Sequence, residues 1–197
     1  MTKRDIKKAM SDNRGVLDYL IEMRDLTELI VDLAYSSVLL DDKGLAKDVL
    51  EIEKEINTLK TEVRLKTILS RLPPEEAEGM VAVLKLADHT ESISNSARGI
   101  AEIVMGGMKK HPLIKEALER GETGIYKEEI RKGAALVGKR IEELNIIEAT
   151  GMQLLAIKKK DGWHYMPTEA QKIQCGDVLL ITGPKENKDT LDKLIKG

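Results

Sequence analysis

The sequence predicts a multidomain protein, an all-α antiparallel helical bundle followed by a small α+β domain. Three observations predict it. The first 110 residues carry apolar residues three and four apart, the spacing of one buried helix face. Breakers fall at only a few places there, so the helices are long. Near residue 122 the pattern changes to short apolar runs bounded by Gly, Asp and Pro, which read as strands and turns. The predicted boundaries are a bundle over 1–110, a linker over 111–121 and the α+β domain over 122–197.

In the bundle, Val16 to Leu40 has no Pro or Gly, and Leu17, Leu20, Ile21, Leu29, Ile30, Leu33 and Leu40 mark its predicted buried face. Asp41-Asp42-Lys43-Gly44 reads as a turn. A second helix is predicted from about Leu45 to Leu72, with Val49, Ile52, Ile56, Leu59, Val63 and Ile68 inward and Glu and Lys outward. Pro73-Pro74 ends it, and Pro74-Glu75-Glu76 suits a first turn, because proline tolerates N1 and carboxylates favour the positive helix end. The third helix runs to Met105 and stops at Gly106-Gly107. Short turns between three long helices imply antiparallel neighbours.

The second domain opens with a short helix and linker between His111 and Gly124. Strands are expected at Tyr126–Ile130, Met152–Lys159, Trp163–Tyr165 and Asp177–Thr182, with a short helix at Gly138–Leu144 and a closing helix at Lys185–Lys196. Asp161-Gly162 signals a hairpin. Val178 to Ile181 is apolar on both faces, so that strand is expected in the middle of the sheet. Cys175 is expected to be a small packing residue, and Lys158, Lys159 and Lys160 a solubilising edge or an anion contact. A core of this size is marginal alone, so dimerisation is expected to support it.

Composition narrows the function classes. The 197 residues are 34% charged with a net charge of -2, which gives a polyanion no field to follow. One Trp, four Tyr and no Phe leave few rings for stacking bases, so no nucleic-acid partner is expected. A single cysteine allows neither an internal disulfide nor a thiolate zinc site and fits a reducing, cytoplasmic compartment. The charged start Met1 to Asp5 predicts no secretory signal, and no apolar run approaches the roughly 20 residues of a membrane helix. With only His89, His111 and His164, a hydrolytic triad has little to draw on, and no enzyme is expected. The bundle has no Gly-rich strand-to-helix turn, so NAD is not expected.

One internal echo carries chemistry. Asp25, Glu28 and Asp32 on the first helix match Asp88, Glu91 and Asn95 on the third, at positions i, i+3 and i+7. These positions share a helix face, and clustered carboxylates repel until a cation relieves them. Oxygen ligands of this kind suit a divalent or trivalent metal. They also suit a solvated surface, or ion pairs with residues such as Arg24 and Lys85.

The three-helix layout and the segment Asp88-His89-Thr90-Glu91-Ser92-Ile93 resemble a PhoU-type helical domain. That family carries an acidic motif on which some members bind metal. By position Glu28 and Asp32 match that motif, and Glu91 matches it on the third helix with Asn95 standing where a further carboxylate would be; Asp25 and Asp88 complete the candidate metal set through the repeated spacing alone. The run Gly133 to Leu144, then Gly151 to Lys158, the Pro167-Thr168 step and Gly176 to Gly183 are together similar to a TrkA-C domain. TrkA-C (RCK C-terminal) domains are ligand-sensing modules of potassium-transport regulators. They usually dimerise, and some bind nucleotides in the dimer cleft.

The second resemblance implies a non-catalytic cytoplasmic regulatory subunit of a cation channel or transporter, most naturally for potassium. It implies a homodimer, a small nucleotide as the ligand class, and a separately encoded membrane partner holding the subunit at the membrane periphery. A cleft is expected where the short helix hands over to the strand, near Asn145, Ile146, Ile147 and Leu154. The other reading, from the first resemblance, is a metal-binding adaptor in phosphate-transport signalling.

Overall fold

A computed structural model describes residues 13–70, 73–107, 112–120 and 122–196. The chain divides into two compact units, Met1–Lys109 and Lys110–Gly197. His111, Leu72 and the start of the chain, all named above, lie outside the described residues.

The first unit is an up-down-up bundle of α1 (Val16–Leu40), α2 (Lys43–Leu69) and α3 (Pro74–Met105), each packed on the other two. Its core is Tyr19, Met23, Leu29, Ile30 and Leu33 of α1 against Leu45, Val49, Ile56 and Val63 of α2. From α3 it takes mainly small residues, Ala87, Ser94, Ala97 and Ala101. The turn between α1 and α2 is tighter than expected. Asp41 takes the left-handed conformation at φ 52°, and the Asp42 carboxylate accepts from the amides of Gly44 (2.8 Å) and Leu45 (3.1 Å). This cap starts α2 at Lys43, two residues before the predicted Leu45.

Part of the predicted buried faces stands in solvent. Leu17 is 68% exposed and Ile68 74%, while Ile21 and Leu40 are also exposed. With only two partner helices, each helix covers a narrower stripe than its apolar residues span, and Tyr19 and Met23 take the inward positions at the start of α1.

The second unit contains α4 (Pro112–Glu119), β1 (Thr123–Glu129), α5 (Ile146–Thr150), β2 (Gln153–Lys159), β3 (Gly162–Tyr165), β4 (Val178–Pro184) and α6 (Lys188–Lys196). The strands form one antiparallel sheet in the order β1-β4-β2-β3. β4 is therefore interior, as its two-sided apolar pattern predicts, with Leu179, Leu180 and Ile181 fully buried. One core joins the sheet to the helices through Ile130, Leu136, Met152, Ile157, Ile173, Leu191 and Ile195.

Four sequence expectations change here. The helix predicted at Gly138–Leu144 is a 3₁₀ turn over Ile141–Leu144, and α5 was not foreseen. Gly138 sits at φ 85° and gives its amide to the Ile173 carbonyl at 2.8 Å, while the Ile173 amide returns to Lys139 at 3.0 Å. Ladder-like pairing with a distant segment thus holds Arg140 extended and keeps Gly138 and Lys139 out of a helix. β4 continues through Gly183 and Pro184, because β1 reaches far enough to pair Gly124 with Gly183. Cys175 is exposed in its turn instead of packed. Lys159 is no surface edge residue, since its ammonium bonds Asp177 at 2.7 Å and the Lys172 carbonyl at 2.9 Å, largely out of water.

Candidate functional site

The second unit contains a cleft of about 480 Å³ beside α5. Its construction begins at Asn145, which joins the 3₁₀ turn to α5 at φ 43°, ψ 44°. Asparagine accepts this left-handed region more readily than most residues. Gly151, at φ 64°, then ends α5 and turns the chain into β2. Thr150 fastens the corner: its hydroxyl donates to the Ile146 carbonyl and accepts from the Met152 amide at 3.1 Å. Asn187 also donates its side-chain amide to the Thr150 carbonyl at 2.9 Å.

The cleft brings together all four residues named from sequence position, Asn145, Ile146, Ile147 and Leu154. Ile146 and Leu154 also belong to the core, so the floor is rigid. Ile147 points outward and is 63% exposed. The lining also takes in Met166, Pro167 and Glu169, which sequence reasoning did not assign. Met166 is 53% exposed and holds φ 43°. Its amide bonds the Leu155 carbonyl at 2.8 Å, which fixes it over the end of β2. The one local signal for this bend was Pro167, since proline keeps the preceding residue out of the helical region.

Glu142, Glu148 and Glu169 add three carboxylates to the lining, and Arg140 offsets Glu142 at 3.1 Å. One protomer therefore offers an apolar floor with acceptors at its rim. A phosphate would need cations brought by another surface.

In the first unit the acidic echo is divided between different neighbours. Asp88 bonds Arg64 at 2.6 Å, and Glu91 bonds Lys60 at 2.9 Å and the Asn95 amide at 2.9 Å. The bond from Lys60 holds the Glu91 carboxyl below the usual carboxylate range, against the opposing effect of burial, with Asn95 adding to it. On α1, Asp25 is taken by Arg24 at 2.6 Å, and Glu28 is exposed. Burial, and then the charge of Glu28, push the Asp32 carboxyl up. Among the described residues no three His, Cys, Asp or Glu side chains gather as a metal site would require. Among those residues, too, no helix is long and apolar enough to cross a membrane.

Two family models match the chain in order. The PhoU domain model covers residues 20–104, the three-helix unit, and the TrkA-C domain model covers 125–196, the sheet with its cleft. The chain joins a PhoU domain to a TrkA-C domain. No curated protein sequence matches it. Among solved structures it is similar to the RCK_C domain dimer of S. agalactiae BusR in complex with c-di-AMP, at 23% identity over 36% of this chain and 92% of that one, TM-score 0.33. It is similar to the RCK C domain of the potassium transport protein KtrA, in complex with cyclic diadenosine monophosphate, at 20% identity over 43% and 96%, TM-score 0.35. It is also similar to S. agalactiae BusR in complex with its busAB-promotor DNA, at 15% identity over 87% and 94%, TM-score 0.34. The candidate cleft lies wholly within the TrkA-C domain, and the acidic echo wholly within the PhoU domain.

Proposed function

We propose that this protein is a non-catalytic regulatory subunit of a potassium channel or transporter, sensing a small ligand in the cleft of its TrkA-C domain. The observation that carries the reading is the cleft itself. A rigid floor of Ile146 and Leu154 ends at two outward apolar side chains, Ile147 and Met166, in a domain of ligand-sensing type. A second copy placed on Ile147 and Met166 would cover exposed apolar surface and close the cleft. Closure would supply what one protomer lacks, a second apolar wall. A ligand that prefers the closed pair shifts the pairing equilibrium, and the PhoU domains pass that shift to a separately encoded membrane partner.

Calorimetry on the full chain tests the reading. The panel is cyclic di-AMP, AMP, ATP and potassium chloride; cyclic di-AMP is the ligand present in two of the similar structures. The expected result is saturable binding of one nucleotide at one site per pair of chains, lost in Ile147→Glu without loss of fold. No binding across the panel, together with no potassium channel or transporter recovered with the full chain from native membranes, would remove the reading.

A further inference from the structure

The outward face of α1 carries Leu17, Ile21, Arg24, Glu28, Val31 and Tyr35. The steps between them are four, three, four, three and four residues, the spacing of the a and d positions along a seam between two helices. The seam is open in one chain. Leu17 is 68% exposed, Ile21 42% and Tyr35 43%. The Arg24 side chain is 64% exposed, Glu28 is exposed and Val31 is half-buried. Leu86 and Ile93 of α3, also exposed, line a groove of about 490 Å³ with the first part of this seam. Single exposed leucines are ordinary on a surface, but apolar pairs at both ends of one helix face, with a groove beside the first pair, are not.

The chemistry along the seam reads the same from either end: two apolar residues, two opposite charges, two apolar residues. Turned end for end on a second copy, Leu17 meets Tyr35, Ile21 meets Val31 and Arg24 meets Glu28. A twofold axis makes each contact occur twice. A parallel pairing would set Arg24 on Arg24 and Glu28 on Glu28, and like charges would oppose it. We infer that this face of α1 is a self-association surface, and that its occupant is the antiparallel α1 of a second copy of the chain. Arg24 already donates through Nε and Nη2 to Asp25, which leaves its Nη1 group for a second carboxylate. Leu86 and Ile93 then border the partner helix and lose their exposure. This surface lies in the PhoU domain and is separate from the pairing proposed for the TrkA-C domain, so either can fail without the other.

The test uses the full chain with Cys175→Ser, which removes the native thiol. Leu17 and Tyr35 stand 18 residues apart on one helix, about 27 Å, too far for a disulfide within a chain or between two copies of the same position. Under mild oxidation at micromolar concentration, Leu17→Cys combined with Tyr35→Cys is expected to give a covalent dimer, and neither substitution alone should. Both positions are exposed, so the fold survives. No covalent dimer from the combination overturns the inference, whether the face is bare or covered by another segment of the same chain. Charge reversal gives a second reading by sedimentation. Arg24→Glu or Glu28→Arg alone should weaken self-association by about tenfold or more, and the two together should restore it. Single reversals without effect, or a pair that does not rescue, overturn the assigned register.

Discussion

Replacing Lys159 by methionine keeps the aliphatic stem and removes the ammonium from a largely buried ion pair of the TrkA-C domain. In the native structure the Lys159 Nζ donates to Asp177 Oδ2 at 2.7 Å and to the Lys172 carbonyl at 2.9 Å. The Asp177 carboxylate accepts one further bond, from the Gln174 amide at 2.8 Å. The side chains are 16% and 6% exposed, so water replaces little of what is lost. Removing one partner of such a pair leaves an uncompensated buried charge and costs about 3 kcal/mol. The bond to Lys172 adds about 1 kcal/mol. For a domain of this size each kcal/mol moves Tm by about 4–8 °C, so a loss of about 4 kcal/mol should make the TrkA-C domain melt about 16 °C lower or more. Trp163 is the only tryptophan and lies on β3, so urea unfolding followed by its fluorescence reads this domain alone. Adding Asp177→Asn removes the stranded charge while keeping an acceptor for Gln174, and should recover about half the loss. A loss below about 0.5 kcal/mol in Lys159→Met would refute the claim that this pair clamps the 172–177 loop to the end of β2.

Three further outcomes follow from the same coordinates. A Cβ on Gly183 would stand 2.5 Å from Met152 Cγ and 2.7 Å from Met152 Cα, so Gly183→Ala should destabilise the TrkA-C domain by about 2 kcal/mol or more, read by Trp163 fluorescence. Asn145→Ala should cost about 1 kcal/mol in the same assay and Asn145→Gly nearly nothing, because only the former opposes the left-handed backbone that shapes the cleft. In the PhoU domain, Lys60→Met should cost about 1–2 kcal/mol, since Lys60 and Glu91 are only 16% and 17% exposed. Glu91 has its folded-state pKa lowered, so its stabilisation is complete above the ordinary carboxylate value of 4.5 and fades as pH falls through the folded value. Thermal melts followed by helical circular dichroism should therefore show stability falling on acidification, with a shallower fall in Lys60→Met.

Much of the fold was legible because its signals are local. Periodicity drew three long helices, Asp41-Asp42 and Pro73-Pro74 separated them, and Asp161-Gly162 placed the β2–β3 hairpin. Errors arose where distant contacts chose between local options. Gly138 to Arg140 reads as the start of a helix until residues 171–173 pair with it. Leu17 and Ile21 read as core until the other helices prove too few to cover them. The cleft was half legible: Asn145, Ile146, Ile147 and Leu154 lie close in sequence, but Met166, Pro167 and Glu169 reach it only through the hairpin and the return loop.

By itself the sequence determined the two-domain order, the helical and strand periods, the hairpin turn at Asp161-Gly162 and the interior place of β4. Each of these follows from sterics or hydrophobic spacing within a few residues. Tertiary structure alone decided which apolar stripe of α1 faces inward, that Lys60 and Arg64 neutralise the acids of α3, and that Lys159 reaches Asp177 across 18 residues of chain. Those choices depend on which segments come to lie against one another, and that packing energy is shared between parts of the chain that no local window contains together.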